Sequence, residues 1–324
     1  MIKTHFHSLR INPASFKVVR SKMKIRILLP ALTFLFTLSQ TSVGEPLIEK
    51  VPVSTTTGVK SGTKSKNVTF YAMGDVPYAP NEDQLLPKQI ADLPLDGRFL
   101  IHLGDIKGGA APCNEEVYIK VSSMLRKAKP PTFIIPGDNE WNDCTNPEAA
   151  WKYWEKYFHN FDAHWKYDFA VKRQKARNEN FSFKLNGVLF VGINLVGGRV
   201  HDAEEWKTRH AQNVDWIELL MKQNRDACHA LVIFGHAHPI GNHGDFINPF
   251  VTLVKDFKMP VLYLHGDGHK WIKDKPFGTD LITRVQVDQG GIAPPLKITV
   301  QSDPKSPFVF DRRLPPVQQP TTVK

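Results

Sequence analysis

The chain has 324 residues, of which 41% are hydrophobic, so it can bury a sizeable core as one large α/β domain. Its formal net charge of +10 suggests a nucleic-acid partner, but seven of its 42 basic residues lie in residues 1–44, which hold no acidic residue. The remaining 35 basic residues face 32 acidic ones, a balance typical of an ordinary soluble protein. No nucleic-acid partner is therefore expected.

The N-terminal segment has the order of a secretory signal. Basic residues in 22–26 precede the apolar stretch 27–38 (ILLPALTFLFTL), and small polar residues follow. We predict a signal peptide over residues 1–44, with translation starting at Met1 or at Met23, and hence a secreted or periplasmic protein. The apolar stretch is short for a spanning helix, so a membrane location is expected only if the segment is retained as an anchor.

The composition also predicts where the folded part begins and ends. Residues 45–66 are rich in Ser, Thr, Gly and Lys without periodicity, which indicates a linker. The folded domain is predicted over residues 67–303. The proline-rich residues 304–324 are predicted to be a disordered tail.

Five apolar, β-rich runs each stop on a Gly-Asp or Gly-His pair. They are Val68 to Tyr78 (VTFYAMGDVPY), Phe99 to Gly109 (FLIHLGDIKGG), Pro131 to Trp141 (PTFIIPGDNEW), Ala230 to Pro239 (ALVIFGHAHP) and Val261 to Trp271 (VLYLHGDGHKW). Each run is typical of a strand that is buried on both faces. Ligands of open α/β sheets gather at the carboxyl ends of such strands.

The polar residues that close these runs are therefore predicted to meet at one edge of one sheet. They are Asp75, Asp105, Asp138, Asp267, His236 and His269. Carboxylates crowded in this way repel one another and take up protons unless cations lie among them. The pattern predicts a metal site.

The segments between the runs predict the rest of the architecture. Helices are expected at Cys113–Lys127 and Pro147–Phe158, which gives two βαβ-like units and parallel pairing. The later part is expected to contain a hairpin at Phe181–Leu185 and Val188–Leu195, helices at Ala203–Gln223 and Phe250–Phe257, and strands at Thr283–Val287 and Leu296–Val300. This mixture favours two packed mixed sheets flanked by helices.

Three cysteines are present. Cys113 and Cys144 each follow a Gly-Asp motif by a few residues, so a disulfide between them would brace two loops at the same edge of the sheet. Cys228 is predicted to be a buried free thiol. Three unpaired thiols are the alternative, because connectivity cannot be read from the sequence alone.

The order Gly-Asp, Gly-Asp, Pro-Gly-Asp-Asn-Glu, Gly-His, Gly-Asp-x-His resembles that of the calcineurin-like metallophosphoesterases, a superfamily that includes purple acid phosphatases. The resemblance runs from about Asn67 to Val300. It implies a four-layer αββα sandwich that holds two metal ions and hydrolyses phosphoesters by metal-activated water.

The resemblance also implies two ligand sets that share Asp105. The first contains Asp75, Asp105 and His269, and the second contains Asp105, Asp138, His236 and Asp267. Four carboxylates would balance two divalent ions, and oxygen-rich ligands favour Mg²⁺ or Mn²⁺ over Zn²⁺ or Fe. One tightly held ion is the alternative, since the first set lacks a histidine that the family has.

Two departures from the family pattern bear on activity. Pro77 stands where the family has that histidine, and Asn139 replaces the family's catalytic histidine. Asn139 can donate a hydrogen bond to phosphate but cannot supply a titrating proton. The proton is then expected from His238, His243, Glu140 or solvent. The resemblance thus implies an exported phosphoesterase acting on small-molecule phosphomonoesters or phosphodiesters, or alternatively a weakened relative that binds a phosphorylated or acidic ligand.

Several other residues near these motifs are given ordinary structural roles. Lys107 is predicted to be an exposed loop lysine, and His210 to face solvent on the long helix. His102 and His265 lie inside strands and are expected in the core. The aromatic residues around Trp151 have helical spacing and are expected to pack that helix, with part of the run as a candidate lining of a substrate cleft.

Overall fold

The structure is a computed structural model that describes residues 67–315. The predicted signal peptide and linker lie outside the described residues, as does the end of the predicted tail. None of the helices within residues 67–315 is both long and apolar enough to cross a bilayer.

The first sheet is built from the N-terminal strands and from the C-terminal part of the described chain. It has the order β12-β11-β1-β2-β3 and contains β1 (Val68–Met73), β2 (Leu100–His102), β3 (Thr132–Ile134), β11 (Leu296–Val300) and β12 (Phe308–Asp311). Strands β1, β2 and β3 are parallel, whereas β11 and β12 add antiparallel pairs. The predicted βαβ units are confirmed.

The second sheet contains the remaining strands. It has the order β4-β5-β6-β7-β8-β10-β9 and contains β4 (Lys172–Arg173), β5 (Phe181–Leu185), β6 (Val188–Gly192), β7 (Ala230–Phe234), β8 (Val261–His265), β9 (Ile272–Asp274) and β10 (Ile282–Gln286). Strands β6, β7, β8 and β10 are parallel. The predicted hairpin joins β5 to β6, and Asn186 and Gly187 both have positive φ, as its two-residue turn requires.

Within residues 67–315, five helices flank the sheets. They are α1 (Glu82–Ala91), α2 (Glu115–Leu125), α3 (Pro147–Phe158), α4 (Ala203–Asn224) and α5 (Gly244–Phe257). A single π-type turn covers Asp138–Asn142, and a 3₁₀ turn covers Phe161–His164. Helix α5 begins six residues before the predicted start at Phe250 and contains Pro249.

Three of the four hydrophobic clusters within residues 67–315 are stacked as layers, which makes this part of the molecule a four-layer αββα sandwich. Residues from both sheets form the central layer, where the ring of Phe70 lies 4.8 Å from Phe99 and 5.5 Å from Phe190. A second layer packs α1, α2 and α3 on the first sheet, and a third packs α4 and α5 on the second sheet. The predicted fold class is confirmed.

Two expectations about the sheets require correction. The five motif strands do not belong to one sheet, because β1, β2 and β3 lie in the first sheet and β7 and β8 in the second. Their apolar runs carry no information on which strands pair. The fold also extends past residue 303, since β12 pairs with β11 and buries Phe308. Proline and charge around this short strand masked its alternating pattern.

Candidate metal centre

The candidate ligands follow strand ends in which the backbone turns sharply. Asp75, Asp105, Asp267 and His269 have φ values of 55°, 61°, 69° and 62°. This left-handed region is uncommon for residues with a side chain, and Asp and His are among the residues that enter it most readily. Such conformations cluster at functional sites, because the surrounding structure has to hold them in place.

The loops after β2 and β3 approach each other closely at two glycines. A Cβ atom on Gly137 would lie 2.2 Å from the backbone N of Asp105, and one on Gly104 would lie 2.5 Å from the backbone N of Gly137. Gly104 also has a φ of +90°. The glycines of both motifs therefore allow Asp105 and Asp138 to come together.

Two groups of potential ligands form at this junction. Within each group the ligand-type atoms all lie within 4.8 Å of one another; the first contains Asp75, Asp105 and His269, and the second contains Asp105, Asp138 and His236. Asp105 belongs to both groups. Strands from both sheets thus contribute residues to one centre. The two groups match the two ligand sets that the family resemblance implies, except that Asp267 is missing from the second group.

Asp267 lies beside this centre and outside both groups. Its backbone N–H donates to Asp75 Oδ1 at 3.0 Å. A Cβ atom on Gly197 would lie 2.8 Å from Asp267 Oδ2 and 3.2 Å from Asp138 Oδ1, so both carboxylates border this glycine. The structure therefore brings Asp267 near the second group without making it a member.

His236 provides the clearest test of whether a cation fits. Its side chain is fully buried, and its Nδ1 lies 2.7 Å from the carbonyl O of Leu103, so Nδ1 carries the hydrogen. The remaining nitrogen, Nε2, lies 3.0 Å from Asp138 Oδ1 and 3.3 Å from Asp105 Oδ1, and neither contact is directed as a hydrogen bond. Three electron-rich atoms converge here, which is the environment of a metal ligand with an oriented imidazole.

The pKa values of the buried acids indicate the same need for positive charge. Burial, followed by the charge of Asp105, raises the pKa of Asp75 to about 7. Burial also raises the pKa of Asp105. Burial disfavours protonation of His236, yet Asp105 and Asp138 raise its pKa well above the usual value. Protons neutralise these groups in the absence of another cation, and a bound ion would replace them.

Tyr78 is a site residue that the sequence reasoning did not identify. Its hydroxyl donates to Asp105 Oδ2, lies 3.5 Å from Asp75 Oδ1 and lies 3.3 Å from His269 Nε2. Its ring also packs edge-on against His269 with the centroids 5.3 Å apart. The hydroxyl adds an oxygen atom to the first group. The available signal was its position three residues after Asp75, next to the proline that replaces the family histidine.

Asn139 and Glu140 fix the position of Asp105. The side-chain amide of Asn139 donates to Asp105 Oδ2 and, at 3.1 Å, to the hydroxyl of Tyr78. Glu140 is fully buried and accepts from the backbone N–H groups of Gly137 at 2.6 Å and Asp105 at 3.1 Å. Burial raises the pKa of Glu140 to about 8. Both side chains brace the centre, and Glu140 lies on the backbone side of Asp105.

His238 is half-buried at the rim of the second sheet. Its ring lies 5.6 Å from that of His265, and burial lowers the pKa of His238. Within residues 67–315 the side chain of His238 makes no hydrogen bond. Its predicted part in proton transfer therefore stays a prediction.

Two exposure predictions are wrong. Lys107 is only 3% exposed, and its ammonium group donates to the carbonyl O of Gly108 at 3.2 Å. Burial lowers its pKa, whereas the nearby Glu140 and Asp105 oppose this shift. His210 is 1% exposed and pairs with Asp245 at 2.6 Å. The sequence pattern of a loop or a helix face did not reveal the neighbouring segments that cover them. His102 and His265 are buried, as predicted.

The Cys113–Cys144 disulfide is present, with the Cα atoms 6.0 Å apart. Both sulfur atoms lie 3.6 Å from the carbonyl O of Asn139. The bridge thus joins the residues just before α2 to those just after the π-type turn that carries Asp138. Cys228 is a free, partly buried thiol.

Known proteins resemble this chain only at low similarity. No family model matches the sequence, and no curated protein matches it. Similar solved structures include "GAP50 the anchor in the inner membrane complex of Plasmodium" (11% identity, TM-score 0.49, 75% of this chain and 83% of that chain) and 5'-nucleotidase from Candida albicans (14%, 0.47, 76% and 51%). A third is TT1561 of Thermus thermophilus (12%, 0.41, 76% and 98%).

The chain spans about half the length of the Candida enzyme. At these identities and TM-scores, none of the three structures assigns an activity to this chain. The functional conclusion therefore depends on the side chains of the candidate metal centre.

Proposed function

We propose that this protein is an exported, divergent calcineurin-like metallophosphoesterase that hydrolyses phosphomonoesters or phosphodiesters of small molecules. The observation that carries the proposal is the pair of ligand groups sharing Asp105, because two adjacent cation sites joined by one carboxylate suit phosphoryl transfer. The Cys113–Cys144 disulfide is typical of proteins from oxidising compartments, which supports export.

The side chains of the centre have separable parts in this reaction. Asp75, Asp105, Asp138, His236 and His269 would hold one or two divalent ions. The hydroxyl of Tyr78 would add an oxygen atom to the first group, and Asp267 lies beside the second. Divalent ions bound there supply Lewis-acid polarisation of a phosphoryl oxygen and of water. The excess of carboxylates over imidazoles favours Mg²⁺ or Mn²⁺ over Zn²⁺ or Fe.

Asn139 orients Asp105 through its amide and donates no proton. The leaving group is therefore protonated by His238 or by solvent, and Glu140 serves by holding the two loops together. We expect good leaving groups such as aryl oxides to be released fastest, because they need no proton.

The hydrogen bond from Asn139 to Asp105 also favours a second candidate function. In this alternative the protein is a weakened relative that binds a phosphorylated or acidic ligand. The amide of Asn139 is engaged with Asp105 and Tyr78, in the position where the family has its catalytic histidine. A binding module needs the cations of the centre but no proton donor.

Metal analysis combined with hydrolysis assays separates the two functions. The metal-loaded protein would be assayed on an aryl phosphate and a bis-aryl phosphodiester, beside Asp105→Asn and the exposed control Asp256→Asn. Hydrolysis that Asp105→Asn abolishes and the control retains supports the enzyme. Metal binding without turnover supports the binding module, and absence of bound metal contradicts both.

A further inference from the structure

A cavity of about 750 Å³ lies at the end of the sheets opposite the candidate metal centre. Asn67 and Arg98, which line it, stand just before β1 and β2. Asp75 and Asp105 of the metal centre follow the other ends of the same two strands. Strand β1 has six residues and is therefore about 20 Å long. The volume falls within the range of small-molecule sites, so this is a second cavity with its own chemistry.

The charged side chains that line the cavity leave an excess of positive charge. Arg98 pairs with Asp168, the one acidic residue in the lining that the structure describes. Lys172 and Lys184 are exposed, and neither forms an ion pair or a side-chain hydrogen bond within residues 67–315. The cavity therefore presents two ammonium groups without counter-charges, which favours an anionic ligand.

The hydroxyl of Ser182 is a second indication of a ligand, independent of this charge. Ser182 lines the cavity and is only 1% exposed, yet its side chain forms no hydrogen bond with another residue of the described chain. It alternates along β5 with Phe181 and Phe183, which face the core between the sheets, so its hydroxyl points to the outer face of the second sheet. A nearly buried hydroxyl without a partner is unfavourable, and an oxygen atom of a bound anion would accept its hydrogen.

The strand register brings both lysines next to this hydroxyl. Lys172 in β4 is directly opposite Ser182 in the antiparallel pair. The Cβ atoms of residues paired in this way are about 5 Å apart. Lys184 follows two residues later on the same face of β5, about 7 Å along the strand. Two flexible ammonium groups and one hydroxyl can thus reach the same anionic group.

Apolar side chains form part of the remaining lining. Phe169 is half-buried, and Leu189 in β6 and Leu220 in α4 belong to the hydrophobic layer between the second sheet and its helices. An apolar group of a ligand would gain from contact with these side chains. The cavity is also several times larger than an inorganic anion, so it suits an anion that carries an organic body.

We propose that this cavity binds an organic anion, in which an acidic group is attached to an aromatic or aliphatic body. Lys172 and Lys184 pair with the acidic group, and the hydroxyl of Ser182 donates a hydrogen bond to it. The apolar body lies along Phe169 and the two leucines. The site is separate from the metal centre and does not require that centre to be catalytic.

Isothermal titration calorimetry of the full chain with phenylphosphonate provides a direct test. The protein would be treated with a chelator, which removes cations that would bind the same anion at the metal centre. We expect saturable binding of phenylphosphonate, binding of inorganic phosphate that is weaker by at least about tenfold, and no binding of benzyl alcohol, which lacks the charge.

Variants of the cavity test the residues that carry the proposal. Lys172→Gln/Lys184→Gln should weaken phenylphosphonate binding on the order of tenfold, and Ser182→Ala should weaken it by about tenfold. The matched control Lys207→Gln/Lys255→Gln removes the same charge from exposed positions on α4 and α5 outside the cavity, and it should bind as the parent protein does.

The proposal is overturned if phenylphosphonate does not bind, or if the two double variants bind it equally well. Equal binding of inorganic phosphate and phenylphosphonate would also overturn it, since the cavity would then hold an adventitious ion only. Asp105→Asn, which alters the metal centre, should leave phenylphosphonate binding to the cavity unchanged. Failure here therefore leaves the proposed function separately testable.

Discussion

Nε2 of His236 faces Oδ1 of Asp138 at 3.0 Å without a hydrogen bond between them. The hydrogen of the imidazole is on Nδ1, where it is donated to Leu103 O at 2.7 Å. A nitrogen lone pair and a carboxylate oxygen at this distance repel each other unless a proton or a metal ion lies between them. This arrangement makes the centre dependent on added positive charge.

Replacing His236 with alanine should remove one metal site. We expect His236→Ala to bind one ion fewer by elemental analysis, and its kcat/KM on an aryl phosphate to fall by at least about 100-fold, since loss of outer-shell partners alone costs about 10- to 100-fold. The exposed His164→Ala serves as the control and should behave as the parent. Unchanged metal content in His236→Ala would remove His236 from the ligand set.

Tyr78→Phe tests whether the hydroxyl belongs to the first ligand group. The variant keeps the ring that packs on His269 but loses the contacts with Asp105 and Asp75. We expect metal affinity or activity to fall by about 10- to 100-fold with little change in Tm. Tyr157→Phe, whose hydroxyl bonds to Glu115 away from the centre, is the matched control. Equal behaviour of the two variants would make Tyr78 a packing residue only.

Gly197→Ala should lower metal affinity without unfolding the protein. The new methyl group would lie 2.8 Å from Asp267 Oδ2 and 3.2 Å from Asp138 Oδ1, so it would displace carboxylates that border the second group. Isothermal titration with Mn²⁺ would measure the weaker binding. Gly244→Ala is the control, since its nearest atom, in the side chain of Asn248, lies 3.8 Å away. If Gly197→Ala binds Mn²⁺ as tightly as the parent protein does, the ion does not bind beside Asp138 and Asp267.

The metal-free protein should lose stability as the pH rises above about 7. The folded state holds protons on Asp75 up to a pKa of about 7 and on Glu140 up to about 8, against ordinary values of 3.8 and 4.5. Burial has the opposite effect on His102 and His243, whose pKa values fall from 6.5 to about 4, so these histidines oppose the trend at lower pH. Between about pH 7 and pH 8 the folded chain therefore binds more protons than the unfolded chain, and its stability falls. Thermal unfolding of chelator-treated protein should show a falling Tm across this window, and added Mn²⁺ should restore it. A Tm that rises between about pH 7 and pH 8 in the metal-free protein would contradict these pKa shifts.

Removing the disulfide should affect both stability and the metal centre. The bridge spans 31 residues, so Cys113→Ser/Cys144→Ser should lower the free energy of unfolding by about 3 to 4 kcal/mol. Both sulfurs contact the carbonyl O of Asn139, so the turn carrying Asp138 should also loosen and metal affinity should fall. Urea unfolding would measure the free energy of unfolding, and isothermal titration calorimetry would measure the metal affinity. The control Cys228→Ser keeps the disulfide, so its free energy of unfolding and its metal affinity should both change much less.

The positions of the strands and the identity of most site residues could be predicted from local patterns. Apolar runs closed by glycine located β1, β2, β3, β7 and β8, and the Asn186-Gly187 pair located the hairpin. These signals are readable because a buried strand needs apolar side chains on both faces and a two-residue turn needs positive φ. The six candidate ligands follow the same strand ends, and five of them meet in the two groups.

Contacts between distant segments could not be predicted in this way. An apolar run does not indicate which sheet its strand belongs to. The sequence therefore predicted a centre at one edge of one sheet, whereas the structure places it where the two sheets meet. The burial of Lys107, the hydroxyl of Tyr78 among the ligands and the exclusion of Asp267 depend on how loops cross in space. Local chemistry is encoded in neighbouring residues, whereas exposure and side-chain distance depend on which segments pack against each other, and many pairings satisfy the same apolar pattern.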